Sequence, residues 1–417
     1  MIELLGKSKE ELRAFCAGLG EPAYRGGQIY HALYAERKFD FARMTNLPAA
    51  LRERLAKEAR VTLPEVKQRF VSGDGSVRYL FGLVGSEEKR FTTEGAEKES
   101  TPTASGQAPD RERSQKGKNR PLRPASVEAV FMPSEGRQTI CISTQAGCAV
   151  DCHFCLTAQL GLIRNLTAGE ILGQVLAALG EQRSRLSAAG EKAAALKPAA
   201  THACDGIPLE AHSKQTNVVL MGQGEPLLNF EPVMAALRIL LDPAGVGISP
   251  KHVTLSTSGI VPGIERLARE KVRPKLAISL NASNEEQRDA LMPINKRYPL
   301  SALMEACKNY PLRLWEHLTF EYVMLGDVND SPDDARRVVR LLAPVKRVKV
   351  NLIPWNPAEL PYRESSAERI EQFRHILNDK GVPTFVRYSR GRDVMAACGQ
   401  LALLDVSTQS GLVSIAP

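Results

Sequence analysis

Seven short apolar segments, most of them separated by helical patterns, constrain the fold of this chain more than any other feature. They are ICIST, NVVLMG, HVTLSTSG, KLAISLNAS, FEYVMLG, VKVNLIPW and TFVRYS. Amphipathic patterns such as GEILGQVLAAL, FEPVMAALRILL and ERIEQFRHIL lie between them. Repeated strand and helix units bury a parallel sheet under helices, so the sequence predicts an α/β core, open or closed as a barrel.

The predicted strands end in small, polar or acidic residues, as in CISTQAGC, MGQGEP, LSTSG, SLNAS, LIPWNP and RYSRG. In folds built from parallel strands, the active site lies at the C-terminal ends of the strands. The sequence therefore predicts a site for a polar ligand at this edge of the sheet.

Composition divides the chain into parts. Residues 1–85 contain short amphipathic helical patterns and a strand pair with the hairpin signal GDG, which predicts a small separate accessory domain. Residues 86–125 are rich in Ser, Thr, Gly, Pro and charge, as expected of a flexible linker. The core is predicted at 126–417, with a second polar insertion at about 181–215.

The formal net charge of the 417-residue chain is +8, which favours a polyanionic partner, although a scattered charged surface would give the same value. The N-terminus lacks the pattern of a secretory signal, and no apolar run is long enough to span a membrane. We therefore expect a cytoplasmic protein without membrane association. Eight cysteines in such a chain indicate metal binding or catalysis rather than a disulfide framework.

Three of these cysteines, Cys148, Cys152 and Cys155, lie in GCAVDCHFC with the spacing C-x3-C-x2-C. Three thiolates on one short loop can bind three irons of a [4Fe-4S] cluster and leave the fourth iron open to a non-protein ligand. Two alternatives are a structural zinc site, completed by His153 or a distant ligand, and cysteines that bind no metal.

At this point the chain resembles a known family. GCAVDCHFC, together with MGQGEPLLN, TLSTSG, PINK, NLIPWNP and DVMAACGQL, is similar to the radical S-adenosylmethionine enzymes that methylate C2 of adenosine in RNA. The resemblance covers the N-terminal region and residues 126–402. It implies a partial (β/α) barrel with a small N-terminal helical accessory domain that binds RNA. It also implies two cofactors, a [4Fe-4S] cluster with three cysteine ligands and S-adenosylmethionine.

The resemblance assigns roles to individual residues. Cys148, Cys152 and Cys155 match the cluster ligands, and the Gly224–Glu225 pair matches the element that meets the amino group of the cofactor. Further positions match other cofactor contacts: Ser256, Ser279, Leu280, Asn281 and Asn356. Asn281 departs from the family pattern, in which His is common. Taken alone, a Ser or Asn at a strand end is more often a turn or cap residue.

Adenine C2 is an electron-poor carbon, so transfer of a methyl cation to it is not available and radical chemistry is needed. The resemblance implies that Cys398 accepts a methyl group, which is activated as a carbon radical and bonds to C2. Cys141 would then release the product by forming a disulfide with Cys398, and Glu128 would accept a proton. Their structural alternatives are two packed thiols and a surface charge.

The implied substrates are one adenosine of 23S rRNA, at the peptidyl transferase centre, and one of tRNA, next to the anticodon. The implied partners include an electron donor such as flavodoxin, and we expect a monomer. One alternative function is C8 methylation of the antibiotic-resistance type, which uses the same cluster and both cysteines. Radical chemistry on a peptide or small molecule, and a zinc-stabilised RNA-binding module, are the alternatives from other classes.

Overall fold

The computed structural model describes residues 1–83, 126–195 and 215–402. Its N-terminal unit has three helices, α1 (Lys9–Gly18), α2 (Tyr24–Tyr34) and α3 (Ala49–Glu58). A two-stranded parallel sheet of β1 (Ile2–Glu3) and β2 (Ala59–Arg60) joins the two ends of this unit.

The remaining strands form the core. They are β3 (Glu65–Val71), β4 (Val77–Gly82), β5 (Ser126–Ser134), β6 (Arg137–Cys141), β7 (Gln145–Gly147), β8 (Leu162–Asn165), β9 (Gln215–Leu220), β10 (Val253–Thr257), β11 (Lys275–Ser279), β12 (Leu318–Met324), β13 (Val348–Pro354) and β14 (Thr384–Val386). The core helices are α4 (Ala168–Ala195), α5 (Phe230–Leu241), α6 (Val261–Ala268), α7 (Glu285–Leu291), α8 (Leu300–Asn309), α9 (Pro332–Leu342) and α10 (Ala367–Asp379).

Ten strands form one sheet in the order β14-β13-β12-β11-β10-β9-β6-β5-β4-β3. The part from β6 to β14 is parallel throughout, and the part from β3 to β6 is antiparallel. The seven apolar segments of the sequence all contribute to the parallel part. The predicted α/β core of parallel strands and helices, with a helical N-terminal unit, is confirmed.

Local sequence signals fix where several helices begin. The hydroxyl oxygens of Ser8 and Ser331 each accept a hydrogen bond from the backbone N–H of the third helical residue. The acidic side chain of that residue accepts one from the backbone N–H of the serine, so α1 and α9 both begin with a capping box. In α9 the buried residues Ala335, Val338 and Leu342 recur at helical spacing, which directs that face onto the sheet.

The hairpin of β3 and β4 belongs to the core sheet. β4 pairs with β5 along its whole length, from Val77 opposite Phe131 to Gly82 opposite Ser126. The hairpin lies within the predicted domain of residues 1–85, and its pairing joins that part of the chain to the core sheet; the bounds of the domain stay a prediction. An unpaired β5 would expose its backbone amides and carbonyls, and β4 satisfies these groups.

Two glycines of α4 allow the N-terminal unit to pack closely on the core. A Cβ on Gly169 would lie 2.6 Å from the backbone oxygen of Leu5, and one on Gly173 would lie 2.4 Å from Pro64 Cδ. A hydrogen bond of 2.8 Å from the Tyr30 hydroxyl to Asp242 adds a polar contact. The N-terminal helices and the core thus share one hydrophobic cluster.

The predicted polar stretches are mostly beyond the described ranges. Residues 86–125 lie outside them, and so do residues 196–214 of the second predicted insertion. The first part of that insertion continues α4 as far as Ala195, because its Ala, Glu, Lys and Arg residues favour a helix. In the described part of the chain, every helix is too short or too polar to cross a membrane.

The close packing on α4 predicts opposite effects for two glycine substitutions. Gly169→Ala should lower the free energy of unfolding by about 1–3 kcal/mol, because the added methyl group overlaps the Leu5 carbonyl. Gly180→Ala, on the same helix at a position where an added Cβ would have no atom within 4 Å, should raise it by about 0.5–1 kcal/mol. Urea unfolding followed by circular dichroism measures both. Equal stability of the two variants would contradict close packing of the N-terminal unit on α4.

Candidate active site

A cavity with two lobes opens among the parallel strands. We call the first the cysteine lobe, which has an empty volume of about 1030 Å³ and contains Cys148, Cys152 and Cys155 in its wall. The second is the basic lobe, of about 1800 Å³, with Lys275, Lys349 and Arg387 in its wall. Several residues line both lobes, so the lobes are continuous: Cys155, Thr157, Met221, Gly222, Glu321, Ile353, Cys398 and Gly399.

The three clustered cysteines lie on the loop between β7 and β8. Cys148 N donates to Gly161 O at 2.9 Å, and Cys155 N donates to Cys152 O at 3.1 Å, which closes the loop on itself. All three thiols are half-buried. Burial raises the pKa of the Cys148 thiol to about 12, and burial followed by repulsion from Cys155 and Cys148 raises the pKa of Cys152 well above its usual value. Such thiols ionise readily only beside a cation.

This donor set fits a [4Fe-4S] cluster better than a zinc ion. A structural zinc ion takes four protein ligands, but within the described ranges no three His, Cys, Asp or Glu side chains are placed to hold one metal ion. His153, the predicted alternative ligand, is exposed and is absent from the walls of both lobes as described. Three sulfur ligands spread along one cavity wall, with open space beside them, suit a larger cluster with one free iron.

Glu225 is a buried carboxylate in the wall of the cysteine lobe. Ser258 donates to its Oε2 through both backbone N at 2.7 Å and Oγ at 2.8 Å, while Leu227 N donates to Oε1 at 3.0 Å. Burial raises the pKa of the carboxyl group, and these hydrogen bonds oppose the rise. Gly224 has φ +94° and its Cα lies against Gln145, where an added Cβ would be 2.5 Å from that side chain, so only glycine fits.

The other predicted cofactor contacts lie on neighbouring strand ends. Ser256 and Ser279 line the cysteine lobe with their hydroxyl oxygens 3.4 Å apart. Asn281 lines the same lobe and has φ +55°, a left-handed conformation that Asn tolerates well. Its Oδ1 accepts from Val323 N at 2.9 Å, so its amide also joins β11 to β12. Leu280 is a fully buried core residue and is not among the lining residues.

Asn356 holds the segment that carries Cys398. Its Nδ2 donates to Cys398 O at 3.0 Å and to Ser389 Oγ at 2.9 Å, and its Oδ1 accepts from Arg392 Nε at 2.9 Å. The segment is also bonded to the cysteine loop, since Leu156 N donates to Gly399 O at 2.8 Å. Cys398 as a whole residue is exposed, while desolvation by the surrounding protein raises the pKa of its thiol to about 11.

Cys141 and Cys398 both line the basic lobe. Cys141 ends β6 and belongs to the same hydrophobic cluster as Val394, Ala396 and Leu401, which flank Cys398 in sequence. Burial and then the proximity of Cys398 raise the pKa of Cys141. Both thiols are free, so the structure contains no disulfide between them. The arrangement brings together the two cysteines that the sequence assigned to one reaction.

Glu128 is a buried carboxylate of β5. It is 1% exposed, pairs with Arg78 Nη1, and accepts a hydrogen bond of 3.3 Å from Gln223 Nε2. It does not appear among the described residues that line either lobe. It is not a surface charge either, because β4 and β5 bury it opposite Arg78. Its role as proton acceptor stays a prediction.

Sequence reasoning missed the polar residues inside the basic lobe. Asn351 Nδ2 donates to Glu321 Oε1 at 2.9 Å, and Arg387 Nε donates to Asn351 Oδ1 at 3.0 Å. Lys275 and Lys349 line the same lobe, and burial lowers the pKa of both amines. The available signal was a polar residue inside an otherwise apolar strand, as in FEYVM and VKVNLI.

Known proteins resemble this chain over most of its length. The family model of the ribosomal RNA large subunit methyltransferase N-terminal domain matches residues 2–61, and that of the radical SAM superfamily matches residues 208–342. A probable dual-specificity RNA methyltransferase RlmN from Koribacter versatilis is 43% identical, with 94% of this chain and 99% of that protein covered. The dual-specificity RNA methyltransferase RlmN of Anaeromyxobacter dehalogenans is 40% identical, with 96% and 91% covered.

A solved structure extends the similarity to three dimensions. The crystal structure of a radical SAM methyltransferase from Sphaerobacter thermophilus has a TM-score of 0.76 and 37% sequence identity, covering 96% of this chain and 99% of that one. These similarities agree with the resemblance carried by the sequence motifs.

The cluster assignment predicts the metal content of cysteine variants. After anaerobic reconstitution, the wild-type chain should hold about four irons and as many acid-labile sulfides. Cys152→Ala should lose most of both, because it removes a ligand. Cys307→Ala is the matched control, since Cys307 is a buried thiol of α8 outside both lobes. Elemental analysis of the purified proteins measures the outcome, and zinc without sulfide in the wild-type chain would contradict the assignment.

Proposed function

The chain belongs to the RlmN family of radical SAM RNA methyltransferases, and from this premise we propose that it methylates C2 of adenosine in both ribosomal RNA and tRNA. The proposed sites are one adenosine at the peptidyl transferase centre of 23S rRNA and one next to the tRNA anticodon. The observation that carries the proposal is the position of Cys398, which lines both the cysteine lobe and the basic lobe and has Cys141 beside it.

The cysteine lobe is the proposed cofactor site. Cys148, Cys152 and Cys155 would hold the [4Fe-4S] cluster, with Glu225 facing the amino group of S-adenosylmethionine. Ser256, Ser279, Asn281 and Asn356 would supply polar contacts around it. When bound, the cluster and S-adenosylmethionine supply the radical chemistry that removes a hydrogen atom from a methyl group. The chain's own residues position the groups that receive and pass on that methyl.

Cys398 is proposed to carry the methyl group. Its sulfur forms a bond to the methyl carbon of one S-adenosylmethionine, the sulfonium bond breaks, and the thiol proton leaves to solvent. After loss of a hydrogen atom, the same carbon bonds to C2 of the adenine. The adduct then holds one unpaired electron, which the oxidised cluster would take up, so a closed-shell thioether joins the protein to the RNA. The exposed position of Cys398 between the two lobes supports this role, because both partners can reach it.

Cys141 is proposed to end the reaction. Its thiolate attacks the sulfur of Cys398, a disulfide forms, and the bond between that sulfur and the methylene carbon breaks. The carbon takes a proton and becomes the methyl group of the product, and the C2 hydrogen leaves as a proton, with Glu128 as its predicted acceptor. An external thiol reductant then restores both cysteines. The disulfide is thus a transient state of the catalytic cycle, which agrees with two free thiols at rest.

The basic lobe is proposed to admit the target nucleotide. Lys275, Lys349 and Arg387 lie in its wall and provide positive charge for an RNA backbone. An adenine must leave its stack to bring C2 to Cys398, and a lobe of this size accommodates an extruded nucleotide. The N-terminal unit is proposed to contact the remainder of the RNA.

Three further properties follow from this proposal. A low-potential one-electron donor such as flavodoxin would reduce the cluster and so supply the electron that starts the radical chemistry. One chain supplies every group of the proposed site, so we propose a monomer. We also propose a cytoplasmic location, because ribosomal RNA and tRNA are there.

The thioether intermediate gives the proposal a direct test. Cys141→Ala should form a covalent complex with RNA and stop, so each chain reacts at most once, because nothing displaces the product from Cys398. A labelled RNA hairpin that contains the target adenosine would then migrate with the protein on a denaturing gel.

Two further variants complete this test. Cys398→Ala should form no complex, because it carries no methyl group. Cys16→Ala, which removes a buried thiol of α1, should turn over like the wild-type chain. Repeated release of methylated RNA by Cys141→Ala would contradict the proposal.

A further inference from the structure

Glu321 is a charged side chain that the proposed reaction does not yet use. It lies in the middle of β12, with Phe320 and Tyr322 as its neighbours, and it is 8% exposed. Its side chain forms part of the wall of both lobes. A buried carboxylate costs free energy unless a partner is found, so its presence at this position needs a reason.

A chain of hydrogen bonds fixes the orientation of this carboxylate. Arg387 has only donors, so the atom of Asn351 that it contacts at 3.0 Å must be the amide oxygen. The amide nitrogen of Asn351 therefore points to Glu321 Oε1, at 2.9 Å. Asn351 of β13 thus donates to one carboxylate oxygen of Glu321. The other carboxylate oxygen faces the cavity.

Glu321 also lies close to the reacting thiol. Both Glu321 and Cys398 line the two lobes, and among charged groups Glu321 contributes most to the raised pKa of Cys398. An adenine whose C2 approaches Cys398 therefore brings its adjoining atoms near this carboxylate. C2 lies between the ring nitrogens N1 and N3, and the exocyclic amine is attached next to N1.

The chemistry of adenine limits which of its atoms can pair with a carboxylate. N1, N3 and N7 are acceptors, and the exocyclic amine is the only donor on the base itself. An ionised carboxylate can pair only with that amine. Burial raises the pKa of Glu321, whereas the hydrogen bond from Asn351 and the positive charges of Arg387 and Lys349 lower it and so favour the ionised form. The carboxylate oxygen that faces the cavity accepts a hydrogen bond from the amine.

We propose that Glu321 selects adenosine by accepting a hydrogen bond from the exocyclic amine of the target base, with Asn351 and Arg387 as positioning residues. The inference rests on the proposed function and deepens it, because it names the group that distinguishes adenine from other purines at this site. Inosine also has a hydrogen at C2, but it has an oxygen acceptor in place of the amine. Inosine N1 carries a hydrogen, but a carboxylate held opposite the exocyclic position meets the oxygen there, and their repulsion disfavours inosine.

The test uses three chemically synthesised RNA hairpins that differ at one nucleotide. The target position holds adenosine, nebularine, which lacks the amine, or inosine. Each of these bases keeps the hydrogen at C2, and loss of the electron-donating amine does not make C2 less open to attack by a carbon radical. For the wild-type chain we expect kcat/KM to fall about 10- to 100-fold from adenosine to nebularine, with a further fall for inosine.

Two variants at position 321 test the contact itself. Glu321→Ala should react equally with the adenosine and nebularine hairpins, because it has no acceptor to lose. In Glu321→Gln, Asn351 keeps the amide oxygen of residue 321 on its own side, so the amide nitrogen faces the cavity. This variant should therefore prefer inosine over adenosine, relative to the wild-type chain, since it presents a donor to the inosine oxygen.

The controls distinguish a loss of base recognition from a loss of folding. They also distinguish failure of this inference from failure of the proposed function. Glu316→Gln changes a fully buried carboxylate that is bonded to Arg313 and lies outside both lobes, and it should keep the wild-type ratio of adenosine to nebularine. If Glu321→Ala lowers kcat/KM for all three hairpins equally and keeps that ratio, the inference is wrong. Failure of the wild-type chain to methylate the adenosine hairpin would instead overturn the proposed function.

Discussion

Two hydrogen bonds join the cysteine loop to the segment that carries Cys398, and the arrangement of the site depends on them. Leu156 N donates to Gly399 O at 2.8 Å, and Thr157 Oγ1 donates to Leu401 O at 2.5 Å, between residues 244 positions apart. These bonds join residues 399–401, near the end of the described core, to the cysteine loop that follows β7. They therefore hold Cys398 beside the three cysteines of the proposed cluster. Asn356 strengthens this link from β13.

The parallel sheet explains why one cavity can bind both the proposed cofactor and the proposed RNA substrate. Side chains of a strand alternate between its faces, so polar residues at alternate positions of β10 to β13 line a continuous wall. Residues at the C-terminal ends, such as Ser256 and Ser279, belong to the cysteine lobe. Residues nearer the strand starts, such as Lys275 and Lys349, belong to the basic lobe. Glu321 and Cys398 lie where the lobes meet, which is where cofactor and RNA chemistry must also meet.

The parts of this structure that follow local rules could be predicted from the sequence. Apolar segments gave the parallel strands, and the short spacing of Cys148, Cys152 and Cys155 placed three thiols on one loop. The attachment of the hairpin to β5 could not be predicted, because strand pairing across residues 84–125 leaves no local pattern. The same is true of the buried ion pair between Glu128 and Arg78, which joins two strands. It is also true of the hydrogen bonds from Arg387 to Asn351 and from Asn351 to Glu321, which join β12, β13 and the residue that follows β14.

The central claim is that Cys398 passes a methylene carbon to adenine C2. The most direct measurement is anaerobic incubation of the reconstituted protein with methyl-deuterated S-adenosylmethionine, a reductant and a 23S rRNA fragment, followed by mass spectrometry of the digested nucleosides. The account predicts 2-methyladenosine whose new methyl group carries two deuterium atoms, because one is removed from the S-methyl group and a solvent proton replaces it. A methyl group with three deuterium atoms, or 8-methyladenosine as the product, would contradict it.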